Sequence, residues 1–264
     1  MRFDVVTLFP ELFTPFLSLG VTRRAFESGA VDVRLWNLRD FAEGAYRRVD
    51  DRPFGGGPGM VLMAEPLARC VAHIRTDRGE EAVPAPVLLF SPLGQVMDHA
   101  VVATLAQPDG DTGSGAILLC GRYEGLDQRF IDTHVDRQLS LGDFVLSGGE
   151  IAALALLDAV ARLRPGVLND PDSHHQDSFN PALDGLLDSP HYTRPEVWIA
   201  PDGRSLAVPA ALMSGHHAQI QAWRRAQCLQ LSAQLRPDLL DKARSAGRLG
   251  PQDEEILARK QDLL

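Results

Sequence analysis

Residues 140–150, SLGDFVLSGGE, have the composition of a binding loop with an unusual charge. The loop supplies three glycines, an apolar wall and two acids: Gly142, Gly148 and Gly149; Leu141, Phe144, Val145 and Leu146; Asp143 and Glu150. Glycine-rich loops that bind phosphate present backbone N–H groups and often a lysine to the anion, but carboxylates repel it. The loop therefore favours an uncharged aromatic or a cationic ligand over a nucleoside triphosphate.

Two more polar, glycine-containing segments follow apolar runs: SPLGQ at 91–95 follows VLLF, and GRYEG at 121–125 follows AILLC. Apolar runs of this length alternate with helical segments, which predicts an α/β fold with a mostly parallel sheet and helices on both faces. Such sheets bind ligands beyond the carboxyl ends of their strands. We therefore expect these two segments and the 140–150 loop to form one pocket.

The net charge of −9 is unevenly distributed along the chain. Residues 53–180 hold eight basic and seventeen acidic side chains, which accounts for the whole deficit, whereas residues 221–248 hold six basic and two acidic ones. The distribution of charge matters more for binding than the net charge, so a polyanion can bind residues 221–248. The alternative interpretation is that these basic residues form a solvated helix face.

Cysteine use and hydropathy indicate the compartment. Cys70, Cys120 and Cys228 form no CxxC pair, so we predict buried reduced thiols and neither a disulfide framework nor a cysteine zinc site. No apolar run reaches the ~20 residues that span a bilayer. We expect a cytoplasmic protein with no membrane association.

The chain divides by composition into three parts. Residues 1–168 contain the α/β pattern, residues 169–180 lie in a stretch rich in proline, aspartate and serine that we interpret as a flexible linker, and residues 181–264 look helical. We therefore predict a small α-helical C-terminal domain after the α/β domain.

Six motifs occur in an order typical of one family: VDDRPFGGGPGM at 49–60, GRYEGLDQR at 121–129, LGDFVLSGGE at 141–150, RPGVL at 164–168, DSF at 177–179 and SPHYTRPEVW at 189–198. The chain resembles the bacterial tRNA (guanine-37-N1) methyltransferase family from residue 8 to residue 220. The resemblance implies the fold of the SPOUT class, with a deep trefoil knot, S-adenosylmethionine as methyl donor and a homodimer with a composite active site. The general rule against threaded connections would have excluded this fold.

The resemblance assigns residues to the donor site and to catalysis. The donor-binding positions are Ser91, Pro92, Leu93, Gly94, Gly121, Tyr123, Glu124, Gly125, Leu141, Gly142, Asp143, Phe144, Val145, Leu146, Gly148 and Gly149. Asp177 matches the general base that removes the N1 proton of guanine, and Arg162 matches the cation that stabilises the resulting charge. The residue types leave open which of Asp143, Glu124 and Glu150 faces the ligand.

The resemblance also assigns the RNA contacts. Arg47, Arg48 and Arg52 suit phosphates and Asp50 or Asp51 suits a guanine edge. Arg224 and Arg225 lie in the basic stretch that we expect to bind tRNA. The chain departs from the common family pattern at Tyr46, Leu93, Gln95 and Gln176, which affects positioning and not the reaction type.

A metal site is not indicated. His174 and His175 lie beside Asp172 and Asp177, yet adjacent histidines rarely face one ion and HExxH is absent. The resemblance leaves a magnesium requirement open, and the sequence does not locate its ligands.

Two other functions compete with methyl transfer. One is a catalytically inactive RNA-binding regulator of the same fold, which intact Asp177, Arg162 and donor loops disfavour. The other is a nucleotide hydrolase, which the absence of GxxxxGK[ST] disfavours.

Overall fold

The chain folds into two compact units, Met1–Pro171 and Asp172–Leu264. A computed structural model describes residues 1–79, 84–107, 115–168 and 173–259. The first four residues of the predicted linker, 169–172, lie outside the described ranges, and its remaining residues belong to the second unit.

The described part of the first unit contains one main sheet and a small two-stranded ladder. The strands are β1 (Arg2–Thr7), β2 (Asp32–Asn37), β3 (Asp50–Asp51), β4 (Val61–Leu62), β5 (Val87–Val96), β6 (Gly115–Leu119) and β7 (Arg137–Ser140). The main sheet has the order β2-β1-β6-β5-β7, and every neighbouring pair is parallel. Strands β3 and β4 pair antiparallel.

Helices connect the strands. They are α1 (Thr14–Ser18), α2 (Arg23–Glu27), α3 (Ala64–Arg78), α4 (His99–Ala106), α5 (Gln128–His134) and α6 (Glu150–Arg162), with short 3-10 turns at Pro10–Leu12 and Leu38–Phe41. Local sequence sets several of their ends. The side chain of Asp98 caps α4 by accepting the N–H of Val101 at 3.0 Å, and Gly79, with φ of +77°, follows the end of α3.

The main sheet is covered on both faces. Alternate residues of β6 enter opposite cores: Ala116 and Leu118 pack with α4 and α6, whereas Ile117 and Leu119 pack with α3 and α5. Burial on both faces explains why the strands read as continuous apolar runs. The prediction of a mostly parallel α/β sheet between helices is confirmed.

The second unit combines helices with one hairpin. Its elements are β8 (Val197–Ile199), β9 (Ser205–Ala207), α7 (Ala210–Met213), α8 (His217–Leu235), α9 (Pro237–Ser245) and α10 (Pro251–Ala258), preceded by 3-10 turns at Ser173–Gln176 and Pro181–Leu183. The antiparallel hairpin was not predicted, although the intervening PDGR at 201–204 is a turn sequence. No helix in the described ranges has the combined length and apolar character that crossing a bilayer requires.

Residues 177–186 form a defined turn within the second unit. The N–H of Phe179 donates to the carbonyl of Leu186 at 2.8 Å, and the side chain of Asn180 accepts the N–H of Ala182 at 2.9 Å. Leu186 is fully buried with Leu229, Leu240 and other leucines of the unit. This part of the segment interpreted as a linker is therefore packed onto the second unit's own core.

All three cysteines are free and buried. Burial raises the pKa of Cys228 to about 11 and holds the pKa values of Cys70 and Cys120 above their ordinary value. The thiols are therefore neutral at physiological pH, which confirms the prediction of buried reduced cysteines.

A three-residue ion cluster ties α8 to α10. Arg225 on α8 donates to both carboxylate oxygens of Asp253 at 2.8 and 2.9 Å, and its guanidinium lies 2.9 Å from a carboxylate oxygen of Asp184. The side chain of Asp253 is only 14% exposed. Hydrogen bonding from Arg225 lowers the pKa of Asp253 against the opposing effect of burial, so the cluster favours the charged carboxylate.

Replacing Asp253 by Asn should lower the free energy of unfolding by about 1–3 kcal/mol at pH 7, because a partly buried guanidinium loses a charged hydrogen-bond partner. The pKa of Asp253 is lowered in the folded state, so its stabilisation is present above the ordinary aspartate value of about 3.9 and disappears as pH falls through the folded pKa. Denaturant unfolding of the full chain at pH 7 and at pH 3 measures both effects. Asp238→Asn, at an exposed pair with Arg236, is the matched control and should change little; equal effects of the two variants would contradict the prediction.

Candidate functional site

Three loops meet at one edge of the main sheet and enclose a cleft of about 390 Å³. Strands β6, β5 and β7 are neighbours and parallel, so their carboxyl ends meet at the same edge. Strand β5 pairs with β7 up to Phe90 and resumes at Gln95, which leaves residues 91–94 outside the ladder; of these, Ser91, Pro92 and Leu93 line the cleft. The predicted convergence of the three loops is confirmed.

Most of the predicted donor-site residues line this cleft. Those that do are Ser91, Pro92, Leu93, Gly121, Tyr123, Glu124, Gly125, Leu141, Phe144, Val145, Leu146, Gly148 and Gly149; Gly94, Gly142 and Asp143 do not. Sequence reasoning missed Arg122 and Ser147, which also line the cleft. Both lie inside motifs that carry the family resemblance, GRYEG and LSGGE, whose other residues include predicted donor-site positions.

Several glycines are required by contacts within the chain. A Cβ on Gly94 would overlap the backbone of Leu139, and one on Gly149 would lie 2.9 Å from the Cα of Cys120. A Cβ on Gly148 would overlap the side chains of Arg122 and Glu150. Gly148 and Gly149 therefore let the 141–149 loop pack against residues 120–122, and Gly94 lets the 91–94 segment pack against β7.

The 141–149 loop provides an apolar wall. Phe144, Val145 and Leu146 line the cleft with exposed side chains, Val145 being 82% exposed. On the 121–125 loop, Tyr123 has φ of +61° and an exposed ring. A non-glycine residue in this region of backbone space is uncommon and strained, and such residues cluster at functional sites.

The three candidate carboxylates have different environments. Glu124 is exposed and lines the cleft, Asp143 is exposed but does not line it, and Glu150 is buried at the first residue of α6. Among the described lining residues the only charged ones are Glu124 and Arg122. Of the three acids, Glu124 is therefore the one placed to meet a ligand.

Arg122 and Glu150 form a pair beneath the cleft. The Nε of Arg122 lies 3.1 Å from Oε1 and 3.0 Å from Oε2 of Glu150, whose Oε1 also accepts the hydroxyl of Thr7 at 2.9 Å. Arg122 also donates to the carbonyl of Ser147 at 3.3 Å and lies over the ring of Phe9, 4.6 Å from its centroid. One buried ion pair thus connects the end of β1, the 121–125 loop and the 141–149 loop.

The 46–63 segment is joined to the 121–125 loop through the backbone. The N–H of Glu124 donates to the carbonyl of Met60 at 3.0 Å, and the N–H of Leu62 donates to the carbonyl of Gly125 at 2.9 Å. Within the segment, Arg48 donates to Asp51 at 2.6 Å. Arg48 and Arg52 are exposed, while Asp50 is partly buried in β3.

The two predicted catalytic residues belong to different units. Arg162 is the last residue of α6 and is partly buried. Asp177 lies in the second unit, directly after the 3-10 turn, where its N–H donates to the carbonyl of His174 at 3.3 Å. Their roles as base and cation stay predictions.

Arg224 and Arg225 differ in their surroundings. Arg225 is held by Asp253 and Asp184, as described above. Arg224 is partly buried and has no acidic partner among the described residues. Elsewhere in the basic stretch, Arg236 pairs with Asp238 and Arg244 with Glu254, so neighbouring acids offset much of the local positive charge.

The part of the chain that the structure describes contains no group of three His, Cys, Asp or Glu side chains suited to a metal ion. Asp172, one of the acids beside the histidine pair, lies outside the described residues.

Comparison with known proteins points to one family. The model of the family described as "tRNA (Guanine-1)-methyltransferase TrmD" matches residues 1–242. A protein of Paracidovorax citrulli named "tRNA (guanine-N(1)-)-methyltransferase" is 68% identical over 266 residues, covering 100% of both chains. Proteins with the same name from Polaromonas sp. and Bordetella pertussis are 65% and 57% identical and cover 98% of this chain, with 96% and 97% of their own lengths aligned.

Replacing Gly149 by Ala should lower the free energy of unfolding by about 1–3 kcal/mol through overpacking, because the methyl group meets the backbone of Cys120 and Gly121. Gly149 has φ of −75°, which alanine adopts freely, so the cost comes from space alone. Gly250→Ala is the matched control: its φ is −89°, and the added Cβ would meet only a carboxylate oxygen of Asp253, at an ordinary contact distance of 3.9 Å. Denaturant unfolding that shows no larger loss for Gly149→Ala than for Gly250→Ala would contradict the packing of the loops.

Proposed function

The chain belongs to the tRNA (guanine-1)-methyltransferase family, and we propose that it methylates N1 of the guanosine at position 37 of tRNA, beside the anticodon. The enzyme is a tRNA (guanine-N1)-methyltransferase. The cleft formed by the 91–94, 121–125 and 141–149 loops is the observation that supports placing the reaction there. We place the reaction in the cytoplasm with its tRNA substrate.

The cleft suits S-adenosylmethionine as methyl donor. Its volume of about 390 Å³ lies within the ~300–1,000 Å³ usual for small-molecule sites. The apolar wall of Phe144, Val145 and Leu146 suits an adenine ring, and Glu124 is an acid placed to favour a cation. When bound, the donor supplies an electrophilic methyl group on a sulfonium.

The protein side of the donor site is proposed residue by residue. The lining contributed by the three loops is Ser91, Pro92 and Leu93, then residues 121–125, then Leu141 with residues 144–149. Gly94, Gly142 and Asp143 act indirectly, by shaping the backbone around the cleft. Of the three carboxylates, we assign Glu124 to the cationic part of the donor, because it is exposed and lines the cleft.

The chain must also activate guanine. N1 carries a proton and becomes nucleophilic only when that proton leaves, and negative charge then develops on the neighbouring carbonyl oxygen. We assign proton removal to the carboxylate of Asp177 and stabilisation of the oxygen to the guanidinium of Arg162, following the family resemblance. A base must come within hydrogen-bond reach of N1, so the guanosine is bound splayed from its loop.

We further propose the trefoil knot and the homodimer of the family. Close packing of the 141–149 loop against the 121–125 loop supports the knot. The N–H of Gly149 donates to the carbonyl of Gly121 at 2.9 Å, and Arg122 and Gly148 form an isolated antiparallel β-bridge. Exposed apolar Phe9 and Ile151, beside the Thr7–Glu150 contact, support burial against a second subunit. In the composite active site of such a dimer, each subunit would contribute to both sites.

tRNA is the proposed partner of two surfaces. Arg48 and Arg52 on the loop that joins the cleft through Glu124 suit phosphates near the target base, and Asp50 suits a guanine edge. Arg224 suits a phosphate farther along the tRNA, and Arg225 mainly supports that surface through its ion cluster.

The alternative is an RNA-binding regulator of this fold that has lost activity. Incubation with methyl-labelled S-adenosylmethionine and an unmodified tRNA transcript should label a transcript with guanosine at position 37 and leave the matched adenosine-37 transcript unlabelled. Mapping the product to 1-methylguanosine identifies the atom. tRNA binding without labelling at any magnesium concentration would favour the regulator.

Asp177→Asn should reduce turnover by ~10²–10⁴-fold, the usual cost of losing a general base, while donor affinity stays within about twofold. Single-turnover methylation and calorimetric titration of S-adenosylmethionine measure the two quantities. Asp241→Asn, at an exposed acid of the second unit outside the Arg225 cluster, is the control for general loss of a carboxylate. Near-normal turnover of Asp177→Asn would remove Asp177 from the role.

Arg224→Glu should weaken tRNA binding and reduce the slope of log affinity against log salt by about 1, as expected for one lost phosphate contact. Arg204→Glu makes the same charge change outside the basic stretch and should leave the slope unchanged. Arg225→Glu is unsuitable because it would also break the cluster with Asp253 and Asp184. An unchanged slope for Arg224→Glu would mean that Arg224 does not contact a tRNA phosphate.

A further inference from the structure

The proposed reaction makes no use of Glu150, although it is a buried carboxylate directly beneath the cleft. Its side chain is 1% exposed, and its contacts are the hydroxyl of Thr7 and the guanidinium of Arg122. The Thr7 hydroxyl donates to Glu150 and accepts the N–H of Phe9 at 3.0 Å, so it is fully engaged. Burying such a charge is costly unless a partner offsets it, which makes the pairing with Arg122 a strong constraint.

Arg122 connects this buried acid to the cleft. The side chain of Arg122 is 20% exposed and lines the cleft. Its Nη1 donates a hydrogen bond at 3.3 Å to the carbonyl of Ser147, which also lines the cleft. The Nε points to Glu150, which lies within 3.1 Å. A change in the charge of Glu150 is therefore felt at the cleft through Arg122.

The charge of the cleft depends on this pair. Among the described lining residues Arg122 and Glu124 are the charged ones, so an unneutralised Arg122 would cancel the negative charge of Glu124. With Glu150 offsetting Arg122, the net charge acting on a ligand is that of Glu124. The cleft then favours a cation over a neutral molecule of the same shape.

We propose that Glu150 is a specificity-determining residue that acts through Arg122: by neutralising the guanidinium, it makes the cleft prefer the sulfonium donor over the neutral thioether left after methyl transfer. The proposal rests on the proposed donor site. Glu150 has no ligand contact in this role, and its effect is electrostatic. The preference it creates helps the product S-adenosylhomocysteine to leave and the next donor to bind.

The test compares the dissociation constants of S-adenosylmethionine and S-adenosylhomocysteine by calorimetry. Glu150→Gln keeps the size of the side chain and exposes the cleft to an unpaired guanidinium, so the preference for the donor should fall by about three- to tenfold. The double variant Arg122→Met with Glu150→Gln removes both charges and should restore the wild-type ratio. A role limited to holding the loop would weaken both ligands equally and would not be rescued by the second substitution.

Asp4→Asn is the matched control. Asp4 is a buried carboxylate on β1, the strand that carries Thr7, and it is held by Arg2, Arg78 and Trp36, none of which lines the cleft. The substitution should lower stability and leave the ligand ratio unchanged. If Glu150→Gln does not fold, Arg122→Met alone is measured, and its ratio should rise because the negative charge beneath the cleft is then unopposed.

Two results would overturn the proposal: an unchanged ratio in a folded Glu150→Gln or Arg122→Met variant, or a double variant that keeps the altered ratio. Failure of the proposed function has a different signature, since the wild-type chain would then bind no donor or label no tRNA. A wild-type enzyme that binds the donor and methylates guanosine 37, with unaltered ratios in every variant, rejects the role of Glu150 alone.

Discussion

The close passage of residues 147–149 against residues 120–122 is the constraint on which the cleft depends. The backbone contact between Gly149 and Gly121, at 2.9 Å, leaves no room for a Cβ on Gly149, and the Arg122–Glu150 pair occupies the space beside Gly148. Because these contacts are made by backbone and buried charge, they fix the 141–149 loop relative to the other two. The apolar wall formed by Phe144 and its neighbours can therefore be presented on a loop without regular secondary structure.

Two acidic side chains set the charge of the cleft, and they differ in burial. Glu150 lies underneath and holds Arg122, whereas Glu124 lies at the surface and is joined through its backbone to Met60. This second contact connects the donor cleft to the segment that carries Arg48, Asp50 and Arg52. In the proposed function, donor recognition and RNA recognition therefore share the 121–125 loop, which is also the site of the strained backbone at Tyr123.

The second unit has its own core and its own polar framework. Leu186, Leu229 and Leu240 are buried together, and Arg225 ties α8 to α10 and to Asp184. The segment that carries Asp177 is built into this unit by the turn between Phe179 and Leu186. The proposed base, Asp177, is therefore held in a defined local conformation, whereas a base on an unstructured linker would have to be ordered for each reaction.

The sequence by itself determined the α/β class, the convergence of three loops and the family, because apolar runs, glycine-containing loop sequences and ordered motifs are local properties of the chain. It also predicted most of the cleft-lining residues, from Ser91 to Gly149. It missed Arg122, did not reveal that Gly94, Gly148 and Gly149 are needed for packing within the chain, and left Glu124, Asp143 and Glu150 equivalent. Only the tertiary structure separated these three acids, because burial and pairing depend on residues far apart in sequence, as Thr7 and Glu150 are.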